Sequence, residues 1–282
     1  MIVVKLKGGL GNQMFQYAAL RALSLKYKKK AYLDLQLINN HQIETNTFTP
    51  RNFSLNIFKI KATPLSPLLK FFFKARHAIS RNNYDDGINF NSIKFPACLD
   101  GYFQSENYFK KYRKEILKDF SLKYPLDEKN ETILQEIVKQ QAVSLHIRRG
   151  DYITKPKVFL FHGVCSIEYY KAAIEYIKKK TDSPVFYIFT DDPIWVQNNF
   201  MVSIFSNKIR LVNINQGADS WKDMYLMSKC KHNIIANSSF SWWGAWLNQN
   251  PDKIVIAPKQ WFADPTMNSK TVDLIPSDWL RI

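Results

Sequence analysis

His146-Ile147-Arg148-Arg149-Gly150-Asp151-Tyr152 is the stretch whose reading decides the fold. Immediately upstream, Gln141-Ala142-Val143-Ser144-Leu145 has the character of a buried strand. The two arginines therefore emerge at the strand's carboxyl end, the edge where open α/β sheets bind ligands. A guanidinium offers a fixed fork of N–H donors and does not lose its proton, so paired arginines on a tight Gly-containing turn suit a pyrophosphate. The same residues also fit a surface Arg–Asp pair that caps a loop. Segments elsewhere in the chain bear on the choice.

Length bounds the architecture: 282 residues accommodate two domains at roughly 150 residues each. The composition is that of an ordinary soluble chain. Its formal charge of +16 points to anionic partners, namely nucleotide-sugar phosphates, an acidic membrane surface or nucleic acid. Cys98, Cys165 and Cys230 are odd in number and widely spaced, which suits free thiols in a reducing compartment. The N-terminal apolar run is too short for a signal peptide, and no segment reaches the ~20 apolar residues of a membrane span. A cytoplasmic protein is expected. The stretch from Pro67 to Ile79 is both apolar and basic, and reads either as an amphipathic helix packed on the core or as one lying on an anionic membrane.

From the N-terminus, Ile2 to Leu6 reads as a buried strand and Asn12 to Tyr27 as a helix. Gly8-Gly9-Leu10-Gly11-Asn12-Gln13 lies between them, where glycines let backbone N–H groups approach a ligand at a helix N-terminus. The spacing matches neither a dinucleotide fingerprint nor a phosphate loop, so a tight βα turn shaped only by packing is an equal reading. Ala31 to Leu35 is a second strand, and residues 39–95, with three prolines and many aromatics, form an irregular region. Ala97 to Phe103 is expected as a strand and Ser105 to Phe120 as a helix. The break at Lys123-Tyr124-Pro125-Leu126-Asp127 divides the chain into domains 1–125 and 126–282.

The second half alternates helices with strands at Val185 to Phe189, Ile209 to Asn213, His232 to Ala236 and Lys253 to Ala257. Such alternation predicts a parallel sheet covered on both faces, an α/β fold. Three polar clusters then fall at three strand ends: His146 to Asp151, Thr190 to Asp192, and Asn237 to Ser241. One nucleotide crevice accounts for all three. The serines would also cap the following helix in any case. Trp242, Trp243 and Trp246 fit core packing better than sugar stacking.

Gly8 to Ala18, His146 to Tyr152 and Asn237 to Leu247 together closely resemble the bacterial α-1,2-fucosyltransferases of glycosyltransferase family eleven, over nearly the whole chain. The resemblance implies a GT-B architecture: two Rossmann-like domains facing across a cleft, with an N-terminal acceptor-side domain and a C-terminal GDP-fucose-binding domain. It implies inverting transfer without a metal, and the absence of any Asp-x-Asp triplet agrees. Arg148 matches the arginine on the donor's β-phosphate, and Arg149 is expected to hold the loop by pairing with Asp151. His146 matches a guanine-proximal position, and Asp223 an acidic residue that reads guanine's N–H edge; without the resemblance Asp223 reads as a helix-surface charge. Ser238, Ser239 and Phe240 match the segment gripping the phosphates, with Asn237 and Asp191 beside it on the donor side. Gly11 and Asn12 match a loop that approaches the fucose, and Gln13, Glu106 and His162 are acceptor-side candidates. Asp151, Glu106, His162 and Asp191 are the groups available as a general base, while Asn12 orienting the hydroxyl would suit late deprotonation.

The resulting expectation is a fucosyltransferase using GDP-fucose and a galactose-terminated oligosaccharide or lipid-linked glycan, in O-antigen-type surface glycan synthesis. Its basic charge would favour peripheral contact with the anionic inner membrane face. The alternatives are a fucosyltransferase of another linkage or acceptor, or a non-catalytic basic protein binding RNA or acidic glycan; the enzyme reading includes no nucleic-acid partner.

Overall fold

The computed structural model describes residues 1–40, 43–45, 49–80, 83–84, 89–203 and 208–282, with side chains omitted for residues 74–80 and 83–84. The chain forms two compact units, Met1–Pro125 and Leu126–Ile282.

In the first unit, β1 (Ile2–Lys5), β2 (Ala31–Asp34), β3 (Thr63–Pro64), β4 (Asn83–Tyr84) and β5 (Ala97–Leu99) make a parallel sheet in the order β3-β2-β1-β5-β4. Ile2, Val3 and Val4 of the central strand are fully buried, as expected when both faces are covered. The helix Leu10–Tyr27 follows β1 and buries residues nearly all round. Two of these are glutamines, and burial is tolerable because their amides are paired. Gln16 accepts from the Lys7 N–H (3.1 Å) and donates to the Gly101 carbonyl (3.2 Å). The helix stops at Lys28, which adopts left-handed φ of 51° and returns its N–H to the Ser24 carbonyl.

Asp119 ties this helix to the end of the unit. Its carboxylate accepts from Tyr17 Oη (2.5 Å) and Arg21 Nε (2.7 Å), and only 2% of Asp119 is exposed. Tyr17 Oη in turn accepts from the Lys61 N–H (2.9 Å).

The expected helix from Ser105 to Phe120 is broken. Two 3-10 turns, Glu106–Tyr108 and Lys110–Tyr112, precede a short helix at Arg113–Asp119. Phe109, buried to 1% exposure, sits between them at φ −142°, so inserting its ring into the core interrupts the helical path. The strand expected to reach Phe103 ends at Leu99, and Phe103 itself has φ of 53°. The irregular region lies partly outside the described residues. Its described part holds β3, β4 and helices at Gln36–Asn40 and Pro67–Ser80.

The second unit is a six-stranded parallel sheet in the order β11-β10-β9-β6-β7-β8, comprising β6 (Ala142–Ile147), β7 (Val185–Thr190), β8 (Ile209–Val212), β9 (His232–Ile234), β10 (Val255–Ala257) and β11 (Leu280–Arg281). All six residues of β6 are buried. Trp242, Trp243 and Trp246 are buried core, and Trp242 Nε1 donates to the Leu274 carbonyl at 2.8 Å. Asn233 of β9 donates to Ser144 Oγ (2.7 Å) and the Met227 carbonyl (2.9 Å), joining β9 to β6 beneath that core. The strand β11 and the two short helices Gly150–Thr154 and Pro156–His162 were not expected from the sequence pattern. All three cysteines are free.

Removing the Asp119 carboxylate would leave Tyr17 and Arg21 without their shared acceptor. Asp119→Ala is expected to destabilise the protein by roughly 3 kcal/mol in urea unfolding. A loss within measurement error would show that this network is dispensable.

Candidate active site

The carboxyl ends of β6 and β7 lie side by side, Ile147 opposite Thr190. The residue after β6 is Arg148, and the two after β7 are Asp191 and Asp192. Arg148 Nη1 pairs with Asp191 Oδ2 at 2.6 Å, and its Nη2 pairs with Asp151. The guanidinium also lies 5.2 Å from the centre of the Tyr152 ring. Burial works against the charge on Arg148, but the Asp191 and Asp151 carboxylates more than offset it, so its pKa is raised.

Asp191 does double duty, since its other oxygen accepts the Arg149 backbone N–H at 2.8 Å. This carboxylate rests against Gly150, where an added Cβ would collide with it. Arg149 does not pair with Asp151 as expected. Its Nε bonds Asp192 Oδ2 at 3.1 Å and its guanidinium stacks 3.8 Å over the Trp195 ring. The reason is local geometry: the chain turns into the Gly150–Thr154 helix, which puts Asp151 at helical spacing from Arg148 rather than beside Arg149.

His146 is 5% exposed, with its ring 5.6 Å from that of Phe240. Its Nδ1 is buried and has no hydrogen-bond partner among the described residues. Burial, then the nearby Arg148 charge, pushes its pKa down to about 3, so the imidazole is neutral at physiological pH. His162 stacks on Tyr152 at 4.6 Å with 12° between planes, and Phe262 lies 5.4 Å away. Its Nδ1 likewise has no described partner, and burial lowers its pKa to about 4. The Tyr152 ring thus touches both a fixed guanidinium and a neutral imidazole.

Asn237 spends its side chain on the protein. Its Nδ2 donates to the carbonyls of His162 (2.9 Å) and Trp261 (3.1 Å), and its Oδ1 accepts from Cys165 Sγ (3.6 Å). It shapes the loop rather than presenting an amide. Ser238 caps the helix Ser239–Leu247, its Oγ accepting the Phe240 N–H at 3.3 Å. Ser239 and Phe240 are half-buried at the mouth of that helix.

Asp223 is not the surface charge that helix periodicity suggests. It is 6% exposed, and its Oδ1 accepts from Asn215 Nδ2 at 2.7 Å; Asn215 exchanges hydrogen bonds with Asn130. Burial raises its pKa to about 7, with the Asn215 hydrogen bond opposing.

In the first unit, Gly8 adopts φ of +78°, and a Cβ there would collide with the Asn12 amide. Asn12 Oδ1 accepts from Gln104 Nε2 at 2.8 Å. Gly11 is buried in the first helical turn, and Glu106 is half-buried at the start of a 3-10 turn. Gln13, the acceptor-side candidate, is fully buried, donating to the Gly8 (2.9 Å) and Asn52 (2.8 Å) carbonyls and accepting from the Ser54 N–H (3.0 Å). The sequence reading missed Lys5, Lys7 and Asp100 at this sheet's carboxyl edge, where Asp100 pairs with Lys5 (2.7 Å) and Lys7 (3.1 Å). The available signal was a charged residue directly after each apolar strand. It also missed Tyr152, whose ring links Arg148 to His162.

Two parallel-sheet units, one with a carboxylate-braced arginine at its ligand edge, are the frame of a GT-B glycosyltransferase. The sequence profile of Glycosyl transferase family 11 matches residues 1–282, and the chain belongs to that family. It is 38% identical over 315 aligned positions to the O-antigen biosynthesis glycosyltransferase WbnK of Escherichia coli, covering 98% of this chain and 99% of that one. An α-1,2-colitosyltransferase of Escherichia coli is 35% identical over 100% of this chain and 99% of its own length. The galactoside 2-α-L-fucosyltransferase Sec1 of mouse is 26% identical, covering 88% of this chain and 64% of that protein. Among solved structures, the fucosyltransferase NodZ from Bradyrhizobium superposes with a TM-score of 0.52 at 14% identity, covering 86% of this chain and 90% of that one, a likeness of fold.

Asp223 generates a pH test. Its raised pKa means that the folded protein holds this proton more tightly than the unfolded chain does. The stabilisation is complete below the unfolded value and is lost as pH rises from ~4 through about 7. Asp223→Asn is expected to flatten that slope in denaturant titrations at several pH values; an unchanged slope in the variant would assign it to other groups.

Proposed function

We propose that this family 11 glycosyltransferase transfers L-fucose from GDP-β-L-fucose to O2 of a terminal galactose in a surface glycan, with inversion and without a metal ion. The observation that carries the reading is the Arg148 guanidinium, held by Asp151 and Asp191 at the carboxyl edge of the second sheet. Each terminal nitrogen spends one N–H on a carboxylate, so donors remain for a phosphate.

In the proposed reaction the galactose 2-hydroxyl attacks C1 of fucose as the C1–phosphate oxygen bond breaks, and GDP leaves with the bonding electrons. Arg148 neutralises the charge that develops on the departing β-phosphate, as a divalent cation does in other enzymes. Ser238 and Ser239 with the first turn of their helix add N–H and hydroxyl donors around the diphosphate. Asp223 takes the guanine N–H edge, and His146 with Phe240 lines the base-side pocket. Asn12 orients the acceptor hydroxyl, whose proton departs late to a phosphate oxygen of the leaving GDP or to water. Asp151 and Asp191 brace Arg148 in this reading, and His162 is the neutral imidazole stacked on Tyr152.

The likeness to an α-1,2-colitosyltransferase supports a second reading, transfer of colitose, which is fucose lacking its 3-hydroxyl. Both readings keep the linkage and the role of Arg148. They differ in whether the site hydrogen-bonds that hydroxyl, a distinction large enough to show in kcat/KM.

Arg148→Ala is expected to retain its fold and lose about 3 kcal/mol of transition-state stabilisation, on the order of a hundredfold in kcat/KM, with wild-type turnover unaffected by EDTA. Undiminished turnover in that variant would remove the assigned role, and collapse of wild-type activity in EDTA would remove metal independence. Incubation of GDP-fucose, and separately GDP-colitose, with galactose-terminated oligosaccharides is expected to give an α-1,2 product by NMR. Attachment at another oxygen overturns the linkage; preference for the deoxy donor selects the second reading.

A further inference from the structure

The Pro67–Ser80 helix presents apolar side chains that nothing in the catalytic reading uses. Leu68, Phe71 and Phe72 stand at i, i+3 and i+4 and are 67%, 70% and 57% exposed. The Phe71 and Phe72 rings meet edge to face at 5.9 Å, making one apolar ridge. The opposite side is anchored: Phe73 is 6% exposed and packs with Val3 and Cys98. Lys70 Nζ bonds Asp34 Oδ1 (3.2 Å) and Gln36 Oε1 (2.6 Å), pinning the helix to the end of β2. The ridge is therefore held outward by its own helix.

Charge identifies the occupant. Between Glu44 and Asp85 the sequence has no acidic residue and seven basic ones: Arg51, Lys59, Lys61, Lys70, Lys74, Arg76 and Arg81. The helix itself carries Lys70, Lys74 and Arg76 and no acidic residue, so a second copy laid along it would bring like charges together, whereas an acidic bilayer would bring opposite ones. At 14 residues the helix is ~21 Å long, short of the ~30 Å hydrocarbon core, so it suits lying in the interface plane with aromatic residues down and cations at headgroup level.

We infer that the Pro67–Ser80 helix docks this protein on an anionic lipid bilayer, with Leu68, Phe71 and Phe72 entering the headgroup boundary and the basic, acid-free sequence around them favouring anionic headgroups. The inference is independent of which sugar is transferred.

The full-length protein is tested by co-sedimentation with phosphatidylglycerol-containing vesicles and with phosphatidylcholine vesicles. Binding to the acidic vesicles is expected, roughly tenfold tighter than to the neutral ones and weakened by salt. Phe71→Ser/Phe72→Ser, which keeps the Phe73 anchor, is expected to lose about tenfold in partitioning. Circular dichroism and Tm confirm that this variant folds, and Lys74→Glu/Arg76→Glu provides an independent variant with the same expected direction. No binding by the wild type, equal binding to both vesicle types, or unchanged binding by the folded variants overturns the inference. So does a wild-type dimer that the serine variant converts to monomer, which would assign the ridge to a second copy.

Discussion

The candidate site of the second unit depends on a carboxylate brace between adjacent strand ends. Asp191, just beyond β7, accepts from the backbone of Arg149 and pairs with the guanidinium of Arg148, both just beyond β6. Asp151 holds the guanidinium from the other side. A half-buried arginine keeps its charge when carboxylates offset its desolvation, and here two carboxylates and an aromatic face share the task. The brace also explains Gly150, since any side chain there would displace the Asp191 carboxylate. Strand pairing, turn and charge are thus parts of one constraint.

Around this brace the site carries neutral rather than charged bases. His146 and His162 are both driven to the unprotonated form by burial, and each leaves a ring nitrogen without a described partner. An imidazolium beside Arg148 would add repulsion, so neutrality is the state compatible with a fixed cation. Arg148 and Arg149 each sit against carboxylates at this strand end, and family 11 membership makes the chain a glycosyltransferase.

Legibility followed burial and sequence distance. The strands β1, β6 and β7 were readable because parallel strands covered on both faces appear as uninterrupted apolar runs. The tryptophans read correctly as core for the same reason. The Ser105–Phe120 segment did not read correctly, because one buried aromatic, Phe109, decides its path and propensity carries no record of that. Gln13 looked like a loop polar group. Its true surroundings, the Gly8 and Asn52 carbonyls and the Ser54 amide, include two residues some forty positions away.

By itself, the sequence determined the α/β class, the strands that carry polar clusters at their ends, and the family, because those depend on local apolar patterning and on contiguous motifs. The tertiary structure decided which charges meet. Arg148 rather than Arg149 takes Asp151, Asp191 crosses from the neighbouring strand, and Asp223 becomes a buried carboxyl with pKa near 7 instead of a solvated one. Pairing and desolvation act over a few ångströms in space between residues that are tens of positions apart, and only the folded sheet brings those positions together.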